Sequence, residues 1–67
     1  PQNMEEMYDK LAQTYDGDTR DAVLYLFLYK AIAEQQDFNV IGKLSKDYFK
    51  KYNRNKQFRK ELSEMQK

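Results

Sequence analysis

Ala22-Val-Leu-Tyr-Leu-Phe-Leu-Tyr29, continued by Ala31, Ile32 and Ala33, is the stretch on which the fold turns. Eight apolar residues in a row fit either a buried strand or a buried helix. The pattern runs on over residues 19–36 without Gly or Pro and is rich in Leu and Ala, which favours helix. Such a helix is apolar nearly all round and must be covered on more than one side. A chain of 67 residues has little material for that. Part of the cover is therefore expected from a second chain, through residues among Leu24, Leu26, Phe27 and Leu28.

Upstream, Asn3 can cap a helix, with Glu6 three residues later as in a capping box. Met4, Met7, Tyr8, Leu11 and Tyr15 then form one apolar stripe. Asp16-Gly17 ends it, Gly17 suiting a left-handed C′ position. Asp18 or Thr19 is expected to cap the central helix, and Asp21 adds negative charge to its first turn. Downstream, Gln35, Gln36 and Asp37 mark a turn, and Asn39 is expected to cap a third helix. Ile41, Leu44, Tyr48 and Tyr52 line one face of that helix, although Gly42 costs it about 1 kcal/mol relative to Ala. Asn53-Arg54-Asn55 reads as a break, with Asn55 capping a final helix that carries Phe58, Leu62 and Met65. The expected fold is all-α: three or four helices in one domain spanning residues 1–67, homeodomain- or helix-turn-helix-like, and an intertwined dimer.

The chain has no Cys and no His, so neither a disulfide nor an ordinary zinc site can staple it. No cofactor is expected. The run Asp16-Gly-Asp18-Thr-Arg20-Asp21 fails as a calcium loop: Arg20 stands at the fifth position, Asp21 where Gly is needed and Phe27 where the closing Glu is needed. Nothing apolar surrounds Asp16 and Asp18 to tune a carboxylate pair, and a catalytic role is not expected. The longest apolar run is far too short for a membrane helix. The chain opens at Pro1 without Met and its first helix could continue upstream, so a piece of a longer protein is expected.

Charge carries the functional signal. Net charge is +1, yet residues 1–38 hold three bases against eight acids, net −5, and residues 39–67 nine against three, net +6. Lys43, Lys46, Lys50, Lys51, Arg54, Lys56, Arg59 and Lys60 give eight positive charges over residues 43–60, opposed in the sequence only by Asp47. Lys43, Lys46 and Lys50 share a helix face opposite much of the apolar stripe. Lys/Arg rows of this kind neutralise phosphates and release condensed counterions. Asn53, Asn55 and Gln57 add neutral donors. Lys outnumbers Arg six to two in the cluster, favouring point-charge contact over bidentate base reading. Tyr48, Phe49 and Tyr52 interleave with the lysines, as in single-strand binders; helical spacing assigns Tyr48 and Tyr52 to the core and leaves Phe49 off the stripe. The competing readings are an ordinary solvated face, an oligomerisation module meeting an acidic protein, and RNA binding.

Tyr15-Asp-Gly-Asp-Thr-Arg-Asp-Ala-Val-Leu-Tyr-Leu-Phe-Leu-Tyr29, with Lys46-Asp-Tyr-Phe-Lys-Lys-Tyr-Asn53 after it, resembles the C-terminal domain of the DNA-replication organizer membrane proteins of protein-primed Bacillus phages. The resemblance covers the whole chain and rests on overall sequence, without a diagnostic motif. It implies a parent protein with an N-terminal membrane anchor, a coiled coil and a homeodomain-related dimeric domain. Such a domain binds single- and double-stranded DNA without strong sequence preference, and can multimerise. It would tether replicating phage DNA at the inner face of the host membrane. The resemblance places DNA binding on the basic residues from Lys43 to Lys60.

Overall fold

The computed structural model describes residues 3–52, 60, 61, 64 and 65. It is all-helical, with no strand among those residues: α1 (Met4–Thr14), α2 (Gly17–Ala33) and α3 (Phe38–Lys51). All three helices touch one another. Lys60, Glu61, Glu64 and Met65 are also helical, and Met65 packs on the core. The expected break at residues 53–55, the Asn55 cap and the Phe58 and Leu62 positions lie outside the described residues.

Local chemistry sets the ends of each helix. Asn3 accepts a hydrogen bond from the Glu6 amide at 2.8 Å and starts α1, as its side chain predicts. Thr14 closes the other end, its hydroxyl donating to the Lys10 carbonyl at 2.7 Å. Gly17 takes a positive φ of +58°, which turns the chain sharply enough for α2 to begin at Gly17 itself. The cap is thus Asp16, not Asp18 or Thr19: the Asp16 carbonyl accepts from the Arg20 amide at 3.1 Å.

α2 stops in a two-bond C-terminal motif. The Gln35 amide donates to the Ile32 carbonyl and the Gln36 amide to the Ala31 carbonyl, each at 3.0 Å. Gln35 adopts φ +54°, a left-handed conformation that glycine usually supplies. The third helix starts earlier than Asn39 could start it. The Asp37 carboxylate accepts from the amides of Asn39 and Val40, at 2.9 and 3.4 Å, so Asn39 lies inside the first turn. An anionic acceptor at the positive end of a helix is favoured over a neutral one.

Tyr8 of α1, Leu24, Leu28, Ala31 and Ile32 of α2, and Ile41, Leu44 and Tyr48 of α3 form the core. The stripes read from α1 and α3 point inward, apart from Met7 of α1 and Tyr15 just beyond its end, which are exposed. Two tyrosine hydroxyls tie the helices together at the edges of this core. Tyr48 donates to the Asp21 carbonyl of α2 at 2.8 Å, and Tyr8 to the Asp47 carboxylate of α3 at 3.0 Å. Tyr25 donates to Glu61, fastening α2 to the C-terminal segment.

Among the described residues the central helix keeps an exposed side. Leu24 and Leu28 are both 0% exposed within the chain's own core, and Phe27 is half-buried against Tyr8. Leu24 and Leu28 therefore have no surface to offer a second chain, contrary to the expectation from the apolar run. The short connections fold α1 and α3 onto the face that carries them. Leu26 (61% exposed) and Tyr29 (46%) face out instead.

Candidate nucleic-acid interface

The outward side of α3 follows from its inward side. With Ile41, Leu44 and Tyr48 in the core, Lys43, Lys46 and Lys50 must point to solvent, and all three are exposed. At a rise of about 1.5 Å per residue they cover about 10 Å of helix. Lys51 and Lys60 are exposed as well. Arg54, Lys56 and Arg59, and the neutral donors Asn53, Asn55 and Gln57, lie outside the described residues.

Not all of these lysines are equally available. Lys51 Nζ sits 2.9 Å from Asp47 Oδ1, and the hydrogen bond with that carboxylate raises the Lys51 pKa. The other oxygen of Asp47 accepts from Tyr8. Burial, followed by this hydrogen bond, pushes the Tyr8 hydroxyl well above its ordinary pKa, so it remains a donor. Lys43 Nζ lies 3.3 Å from Glu5 Oε2. In the fold Asp47 is not the sole acid beside the cluster: α1 brings Glu5 and Asp9 to the side of α3, from the acidic half of the sequence. Among the described residues no carboxylate lies within salt-bridge distance of Lys46 or Lys50.

The lysine row stands between two grooves. One, of about 530 Å³, runs between α1 and α3 and is lined by Glu5, Asp9 and Asp47 together with the lysines. The other, of about 560 Å³, follows the opposite flank of α3 and is lined by Phe38, Asn39, Gly42, Lys43, Ser45, Lys46 and Phe49. Among the described residues no carboxylate lines it. Phe38 is 58% exposed there. Sequence reading passed over Phe38 because it lies between the polar residues Asp37 and Asn39. Its place one turn before Gly42 and three before Phe49 was the available signal.

The aromatic residues divide as their spacing requires. Tyr48 is buried, and its hydroxyl is raised above its ordinary pKa chiefly by burial. Tyr52 is half-buried beneath the Arg20 guanidinium, which lies 4.5 Å from the ring centre. Phe49 is half-buried, with its ring tilted against Tyr48 at 5.7 Å. Among the described residues no group of His, Cys, Asp or Glu is arranged to hold a metal ion. Nor is any described helix long and apolar enough to cross a membrane.

Fold and surface together define a small all-α domain with a lysine row on its third helix. No protein family, curated protein or solved structure matches the chain.

Proposed function

We propose that this domain binds DNA through its phosphate backbone, without reading sequence. The observation that carries the reading is the pair Lys46 and Lys50, exposed one turn apart on α3 with no carboxylate partner among the described residues. Lys43 joins them once its bond to Glu5 is given up, and the basic run continues along the sequence to Lys60. Lysine supplies a mobile point charge, suited to any phosphate and poorly suited to a particular base edge.

The resemblance to the phage replication organizers completes the proposal. The chain is the DNA-holding part of a membrane-anchored protein, and works as a homodimer that can multimerise further while holding phage DNA at the inner face of the host membrane. Leu26 and Tyr29, rather than Leu24 and Leu28, offer the apolar surface for a second copy. Sedimentation at micromolar concentration tests the dimer, and a folded monomer there contradicts it.

Titration of the chain with unrelated single- and double-stranded oligonucleotides tests DNA binding itself. Similar affinity for all sequences is expected, with log affinity falling linearly against log salt by about 0.9 per phosphate on duplex. Absence of DNA binding at low salt contradicts the proposal and leaves the acidic-protein reading.

A further inference from the structure

We propose that the groove along Phe38, Gly42 and Phe49 seats unstacked bases of single-stranded DNA, while Lys46 and Lys50 hold the strand's phosphates. The inference rests on the DNA-binding reading and adds a subsite to it.

Three stripes lie side by side on α3. Ile41, Leu44 and Tyr48 face the core. Lys43, Lys46 and Lys50 face solvent. Phe38, Gly42 and Phe49, spaced i, i+4 and i+11, run between them. Lys43 and Lys46 line the ring groove directly, so aromatic faces and positive charge share one trough. Across the lysine row stand Glu5, Asp9 and Asp47. A strand whose phosphates sit on the lysines is repelled on that acidic side. Its bases are then turned toward the rings.

Phe38 is the most exposed aromatic ring among the described residues. It is 58% exposed at the start of α3, whereas Phe27 and Phe49 are half-buried. The trough has an open floor, because a Cβ added at Gly42 would meet no atom within 4 Å. Glycine weakens a helix interior, and here it keeps the trough clear beside an exposed ring. Base–aromatic stacking tolerates any base, since every base has a π-face. It therefore suits a surface that does not read sequence. A duplex keeps its bases stacked on one another and can use only the lysines.

The test compares oligothymidylate with a random duplex of equal length, measured for the wild-type chain and for Phe38→Ala, Phe38→Trp and Gly42→Leu. Phe38→Ala is expected to weaken single-strand binding about tenfold, as for one lost stacking contact, and duplex binding less than twofold. Gly42→Leu is expected to raise thermal stability, through better helix propensity, while weakening single-strand binding by a similar factor. The chain has no Trp, so Phe38→Trp introduces a single reporter. It is expected to retain single-strand affinity and to lose emission when oligothymidylate binds. Equal losses for both DNA forms in Phe38→Ala, or unquenched emission in Phe38→Trp with the strand bound, overturn the subsite while leaving phosphate binding intact. If the wild-type chain binds neither DNA, the DNA-binding reading fails and the subsite with it.

Discussion

Replacing Glu5 by Gln should make the domain bind DNA more tightly. Glu5 Oε2 lies 3.3 Å from Lys43 Nζ, with the two side chains 48% and 70% exposed. An ion pair so open to water contributes about 0.2–1 kcal/mol. Lys43 must give that up before it can hold a phosphate. Removing the carboxylate abolishes the competition, and also removes a negative charge beside the phosphate path. At about 1.4 kcal/mol per factor of ten, the expected gain is roughly 1.4- to fivefold at low salt. If Lys43 then takes a phosphate of its own, the log–log salt slope on duplex DNA steepens by up to about 0.9. Stability should fall by less than about 1 kcal/mol, from the lost pair and from one acid fewer in the first turn of α1. Fluorescence anisotropy of a labelled random duplex over a salt series measures the first two quantities. Glu6→Gln is the control: it makes the same change of charge in the same turn, away from the lysine groove. Equal gains for the two variants mean that only net charge matters. No gain from Glu5→Gln refutes the competition between Glu5 and phosphate for Lys43.

Three further outcomes follow from the fold. Tyr48→Phe removes a buried hydroxyl that donates to the Asp21 carbonyl, and should lower the free energy of unfolding in urea by about 1 kcal/mol with the helical spectrum unchanged. Gln35→Gly should stabilise the domain by about 0.5–1 kcal/mol, because Gln35 holds φ +54° at the end of α2; thermal unfolding shows this as a raised midpoint, and a lowered one contradicts it. Alkali should unfold the chain: Tyr25 is pushed up to about 12, first by its hydrogen bond to Glu61 and then by burial, and Tyr8 and Tyr48 are raised further, chiefly by burial. Folding favours the neutral phenols, so their contribution is whole below the unfolded value of about 10 and is lost as pH rises through the folded values. Ionisation of Tyr8, Tyr25 and Tyr48, followed as tyrosinate absorbance, should therefore accompany loss of helicity; ionisation of these three near pH 10 with helices intact contradicts this assignment.

What the sequence made legible was local. Asn3 caps α1 with its own side chain, and the Tyr8 and Ile41-Leu44-Tyr48 stripes mark inward faces because helical spacing alone decides them. The α2 stretch is apolar nearly all round, so its length and composition indicated the helix without its orientation. The crossing of α1 and α3 put Leu24 and Leu28 inside and left Leu26 and Tyr29 outside. The α3 cap was misplaced: Asp37, read as part of a turn, starts the helix in place of Asn39, because its charge is the better acceptor at a helix start. The Lys43, Lys46 and Lys50 row was legible as one helix face. Its acidic border was not, since Glu5 meets Lys43 across 38 positions of sequence and a running charge count does not register such a contact.

The central claim is that Lys46 and Lys50 hold phosphates. The most direct measurement is the salt dependence of binding for the chain carrying Lys46→Ala and Lys50→Ala together, on several unrelated duplexes. Both side chains face solvent, so the fold should survive, as circular dichroism will show. Affinity should fall for every sequence alike, and the log–log slope should become shallower by about 0.9 for each lost contact, about 1.8 per chain. An unchanged slope, or a loss confined to one sequence, contradicts the account.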